Sequence, residues 1–131
     1  KEKQLFSNID CYHFGSTDAG VIAIEGKLVK GVDIKQADVA IEEELKKLQE
    51  NGISEAELEK VKNKTESAMA FEDMSVMNRA SSIAMYELLG DADLINTELS
   101  RYQAVTAEQV KEQSRIIFDI NNSNTLYYLA N

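Results

Sequence analysis

Cys11 and His13 stand two residues apart in the stretch LFSNIDCYHF, Leu5 to Phe14. In a strand, residues two apart project from the same face, so both side chains can approach one metal ion. Two ligands do not make a site. Structural zinc takes four convergent ligands and catalytic zinc three plus a water, and the sequence has one Cys and one His; Asp10 and Tyr12 fall on the other face, which leaves Asp18 in the following loop as the one plausible third ligand. These residues therefore read as a packed cysteine and a half-exposed histidine. Glu42, Glu43 and Glu44 span nearly a helical turn and do not converge. With Lys46 and Lys47 four residues on from Glu42 and Glu43, they read as a solvated face of i,i+4 pairs, and Glu55, Glu57 and Glu59 read the same way. No G-x-S-x-G, P-loop or G-x-G-x-x-G pattern occurs. Met69, Met74, Met77 and Met85 suit core packing or an adaptable groove, and Arg79 suits a helix C-terminus or an acidic partner.

The elements that must carry these residues follow from composition and period. The chain has 131 residues, 44% hydrophobic and 28% charged, which is the make-up of one globular unit over 1–131. Its 14 Lys and Arg against 23 Asp and Glu give a net charge of -9, which repels phosphate backbones and makes nucleic acid an unsuitable partner. The longest strongly apolar run, Val21 to Ile24, is far short of the roughly 18 residues a membrane span needs. Strand-like residues begin at Leu5 and Phe6, close behind Lys1, and this start reads as a cut inside a larger protein.

Leu5 to Phe14 and Val21 to Val29 flank a Gly15–Gly20 loop rich in Gly, Ser and Asp, which predicts a hairpin with a bulge or close approach at Gly26. After Gly31 the period changes to about 3.6. Ile34, Ala37, Ile41, Leu45 and Leu48 form one stripe behind an Asp33/Gln36 cap and before Asn51-Gly52. Ser54 with Glu57 starts a long helix with Leu58, Val61, Ala68 and Met69. A break near Met74, a cap at Ser75 and a stop at Gly90 bound the next. Asp91 to Asp93 opens a short helix, Thr106 with Gln109 caps another through Val110 and Ile117, and TLYYL reads as a closing strand. The class is α+β: an antiparallel sheet, made of the hairpin and a C-terminal strand, covered on one face by several helices.

The order and spacing of VIAIEGKLVKG, ENGISEAELEKVKNK, YELLGDADLINTELSRYQAVTAEQV and the final TLYYL resemble the pitrilysin/insulinase family of zinc peptidases, whose zinc motif is the inverted H-x-x-E-H. The likeness runs over essentially the whole chain and is to the later part of one of the family's repeated α+β domains. It implies a parent in which paired halves enclose a peptide chamber, with zinc in the catalytic domain, where the metal acts as Lewis acid and water activator. This sequence has no H-x-x-E-H, so the resemblance assigns it no catalytic or metal residue. Many non-zinc halves carry an R-x-x-x-x-L-x-Y pattern before the hairpin that contacts substrate. With Leu5 in the Leu position, the Tyr position falls on Ser7 and the Arg position precedes Lys1, which leaves Ser7 and Tyr12 as the substrate-contact candidates.

The resemblance thus implies a non-zinc half of a zinc endopeptidase, inactive alone, whose partners are a zinc-bearing half in the same chain or another subunit and a peptide substrate. It leans to a bacterial periplasm or envelope. Strands lacking neighbours would also pair two copies into a homodimer. The alternatives are a processing-type or assembly subunit of the same fold without peptidase activity, and an acidic helical interaction module. Elemental analysis after dialysis against a weak chelator should find zinc well below one per chain. A stoichiometric ion would return Cys11 and His13 to the front.

Overall fold

A computed structural model describes residues 4–15 and 18–129. Ser16 and Thr17 of the predicted reversing loop, and Lys1 at the start, lie outside the described residues. The chain divides into two compact units, Lys1–Glu44 and Leu45–Asn131.

In the first unit, β1 (Phe6–Phe14) pairs antiparallel with β2 (Val21–Leu28). Phe14 stands opposite Val21, Cys11 opposite Ile24, and Phe6 opposite Leu28. The register slips between Phe6 and Asn8, so Ser7 is an extra residue on β1, and its hydroxyl donates to the Lys27 carbonyl at 3.0 Å. An extra residue reverses the in-out alternation of the strand that holds it. One face therefore carries Phe6, Ile9, Cys11 and His13 with Ile22, Ile24, Gly26 and Leu28, and the other carries Asn8, Asp10, Tyr12 and Phe14 with Val21, Ala23, Glu25 and Lys27. The bulge lies on β1, opposite the Lys27–Leu28 step, rather than at Gly26. Gly26 is instead the close approach, since a Cβ there would stand 2.7 Å from the Phe6 ring.

β2 leads through Val29, whose N–H donates to the Leu5 carbonyl at 3.0 Å, into α1 (Ile34–Asn51). The predicted stripe of α1 is covered along its length: Ala37 is buried, and Ile34, Ile41, Leu45 and Leu48 are half-buried, while Glu42, Glu43 and Glu44 are exposed. Lys46 meets Glu50 at 3.8 Å, a solvated i,i+4 pair contributing a few tenths of a kcal/mol, on the order of 0.3. The Asp33 carboxylate accepts from the Lys35 N–H at 3.1 Å. Gly52 ends α1 at φ 72°, where a side chain is strained.

The second unit is ordered by its helix ends. Ser54 and Glu57 form a reciprocal capping box at the start of α2 (Glu55–Glu72), with bonds of 3.0 and 3.2 Å. Leu58 is buried, and Lys62, Thr65 and Met69 are half-buried at steps of four, three and four, so the covered side of α2 passes beside Val61 and Ala68 rather than through them. The expected break falls at Asp73–Met74, and Ser75 then caps α3 (Val76–Leu88) by accepting from Asn78 N–H at 3.3 Å. Gly90 stops α3 at φ 107°. A 3-10 turn (Ala92–Asn96) packs on α3 and leads into α4 (Glu98–Ala104).

Lys62 on α2 donates to the Gln103 carbonyl at 2.7 Å, and the Gln103 amide donates to Glu66 at 3.1 Å, tying α2 to α4. Tyr86 of α3 donates to Glu98, and burial with that bond pushes its phenol up to about 12. The stability this lends is whole below the ordinary tyrosine value and is lost as pH rises through about 12. A second capping box, Thr106 with Gln109, starts α5 (Ala107–Ile117). The end of α1 and the end of α5 clasp: the Gln49 amide donates to the Phe118 carbonyl at 2.9 Å, and Arg115 Nε donates to the Gln49 carbonyl at 3.0 Å.

The α+β class is as the sequence predicts: the described residues form a two-stranded antiparallel sheet and five α-helices. The expected third strand is a correction. After a second 3-10 turn (Ile120–Asn122), TLYYL forms no strand among the described residues, and Leu126 and Tyr128 are 93% and 94% exposed. Residue types give a segment its β propensity, but only a partner's backbone makes it a strand. Among the described residues, no helix is long and apolar enough to cross a membrane. Ser54→Ala and Thr106→Ala should each lower stability by about 1 kcal/mol in urea unfolding followed by circular dichroism.

Candidate peptide-contact face of the hairpin

The bulge at Ser7 sets which side chains meet on the hairpin. Tyr12 shares its face with Glu25, diagonally across from it, and the phenol donates to the Glu25 carboxylate at 3.0 Å. Phe14, two residues on, meets the Tyr12 ring edge to face with centroids 4.9 Å apart and planes at 81°. Asn8 donates to Asp10 on the same face. The hydrogen bond to Glu25, with the charges of Glu25 and Asp10 close by, holds the Tyr12 phenol above its ordinary value. The result is an exposed aromatic pair with a hydroxyl already oriented and a carboxylate behind it. Such a face can stack on an apolar side chain and accept a hydrogen bond from a peptide amide.

Ser7, the other candidate, is five residues away in the bulge, and its hydroxyl is turned to the Lys27 carbonyl. The structure does not bring Ser7 and Tyr12 together. Cys11 is exposed and lies with His13 on the opposite face from Tyr12. Among the described residues, no three His, Cys, Asp or Glu side chains are placed to hold a metal. Arg79 lines a cleft of about 260 Å³ with Asp73, Asp93, Asn96 and Ile83. Leu5, 7% exposed, borders a groove of about 490 Å³ with Val39 and Ala40 of α1.

Glu25 is the residue that sequence reasoning missed. Its role depends on pairing register, and register depends on the bulge, for which a lone serine between Phe6 and Asn8 gives no signal. Gly26 beside it was the available pointer, since an interior strand glycine marks an irregularity or a close approach.

These features define the class first: an α+β domain that opens on an antiparallel hairpin followed by a long, capped helix. Residues 1–65, the hairpin, α1 and the start of α2, match the family described as Peptidase M16 inactive domain. The chain belongs to this pitrilysin-type family, on its non-catalytic side, and is part of a peptidase-family protein. In the family, an inactive domain of this kind pairs with a catalytic half. No curated protein matches the chain significantly.

Glu25→Gln should lower the Tyr12 titration midpoint toward the ordinary tyrosine value, because the carboxylate that disfavours the phenolate is gone. Ultraviolet difference titration of the five tyrosines, compared with Tyr12→Phe, reads this directly. An unchanged midpoint would mean that the Tyr12–Glu25 bond does not persist in solution.

Proposed function

We propose that this chain serves in the non-zinc half of a zinc-dependent endopeptidase, where it helps wall the chamber that holds the peptide. The observation that carries the reading is the match of residues 1–65 to the inactive-domain family. The zinc belongs to the catalytic half, where it supplies the Lewis acid and the activated water. The contribution of this chain is binding and orientation. An extended peptide can add to an open edge of the hairpin through its backbone, while the Tyr12 and Phe14 rings cover an apolar side chain and the Tyr12 hydroxyl accepts from an amide. Contacts made equally in ground and transition states lower KM, whereas those that tighten only as the scissile bond reacts raise kcat.

The test combines the chain with the zinc-bearing half and follows cleavage of a fluorescence-quenched peptide. The chain alone should cleave nothing, and adding it should raise the turnover of the other half. Tyr12→Ala should lower kcat/KM about tenfold, equivalent to about 1.4 kcal/mol. A stable complex with no effect on cleavage would instead support an assembly subunit of the same fold. If no complex forms, the reading fails.

A further inference from the structure

Three of the four methionines lie on the surface: Met74 is 79% exposed, Met77 73% and Met85 53%. On α3, Met77, Ser81, Ala84 and Leu88 recur at steps of four, three and four, which places them along one narrow stripe. All four are exposed, Leu88 by 75%. The half-buried residues of α3, Ser82 and Tyr86, lie on its other side, where the bond to Glu98 is made. α3 thus has one side used inside its unit and a second, uncharged seam that its unit leaves exposed. Phe71 and Met74, just before α3 in the chain, are exposed as well. Isolated exposed apolar residues are ordinary, but an aligned set at seam spacing marks an interaction surface.

The charges around the seam say what fits it. Glu72 and Asp73 precede it, and Glu87 and Asp91 flank its far end. Arg79, the cation on α3, lies about the helix toward the Asp73/Asp93 cleft rather than on the seam. An uncharged seam with acidic ends, in a chain of net charge -9, is complementary to a cation-ended apolar partner and repels an acidic one. We infer that the α3 seam docks a cationic amphipathic helix from another polypeptide. Its apolar residues interleave with Met77, Ala84 and Leu88, and its Lys or Arg residues meet Glu72 and Glu87. From Met77 to Leu88 the seam is roughly 16 Å long, so the partner helix needs about three turns. Methionine side chains adapt their shape, so the surface selects for pattern and charge more than for a particular sequence. This inference does not depend on the peptidase reading.

The test is fluorescence anisotropy of the whole chain with a labelled Leu/Lys amphipathic helical peptide and its Leu/Glu counterpart. The Lys peptide should bind with a Kd on the order of micromolar, and the Glu peptide about tenfold or more weaker. Met77→Glu and Leu88→Glu, at exposed positions that keep the fold, should each weaken the Lys peptide about tenfold, with unchanged thermal unfolding. Glu72→Lys with Glu87→Lys should invert the preference between the peptides. Glu42→Gln with Glu43→Gln, in the acidic run of α1, should leave binding as it is. Equal loss in the α1 variant, or none in Met77→Glu, would reduce the effect to general charge attraction and overturn the proposal. Self-association of the chain that Met77→Glu abolishes, without peptide binding, would make the occupant a second copy and overturn it equally.

Discussion

The first amides of every helix have no partner within the helix, and the way this chain answers that constraint decides most of its layout. Apolar burial does little to set the boundaries: among the described residues only Leu5, Ala37, Leu58 and Ser114 are buried. Side-chain oxygens set them instead. Ser54, Ser75 and Thr106 each accept from an amide three residues on, and the first and last are answered by Glu57 and Gln109. The same need shapes the ends, where Gly52 and Gly90 take the left-handed backbone that releases the chain from α1 and α3. Gln49 and Arg115 then use the carbonyls left at two helix ends to clasp α1 to α5. Hydrogen bonds that would be local repairs in a larger core are the frame here.

The hairpin answers a different constraint. A strand offers two faces, and one additional residue exchanges them. With Ser7 absorbed as a bulge, Phe6 remains on the apolar face and covers Gly26, while Tyr12, Phe14 and Glu25 gather on the other. The aromatic pair is exposed because its face carries Asp10, Glu25 and Lys27 as neighbours, which cannot be buried cheaply. The face suited to peptide contact and the face suited to packing are therefore separated by a single residue of register. The family match spans this hairpin and the helix that follows it, where the geometry is most distinctive.

Charge runs through both units to the same effect. The excess of acidic residues is spread over exposed helix faces, such as Glu42 to Glu44 on α1, where solvation costs nothing and pairing gains little. On α3 the one acidic residue, Glu87, stands off the line of Met77, Ser81, Ala84 and Leu88. The distribution leaves two surfaces, the hairpin face and the α3 seam, with definite chemical character.

Where local chemistry decides, the sequence by itself determined the result. The caps at Ser54, Ser75 and Thr106, the break after Asp73, the stops at Gly52 and Gly90 and the apolar stripe of α1 all depend on residues within a few positions of one another. Where a feature depends on a partner distant in the chain, only the tertiary structure decided it. The Ser7 bulge, and with it the meeting of Tyr12 and Glu25, follows from a pairing register that residue types do not encode. The covered side of α2 includes Lys62, which bonds to Gln103 of α4, and leaves Val61 of the predicted stripe exposed. TLYYL has the residues of a strand, yet a strand is made by a neighbour's hydrogen bonds, and no propensity within the segment can supply them.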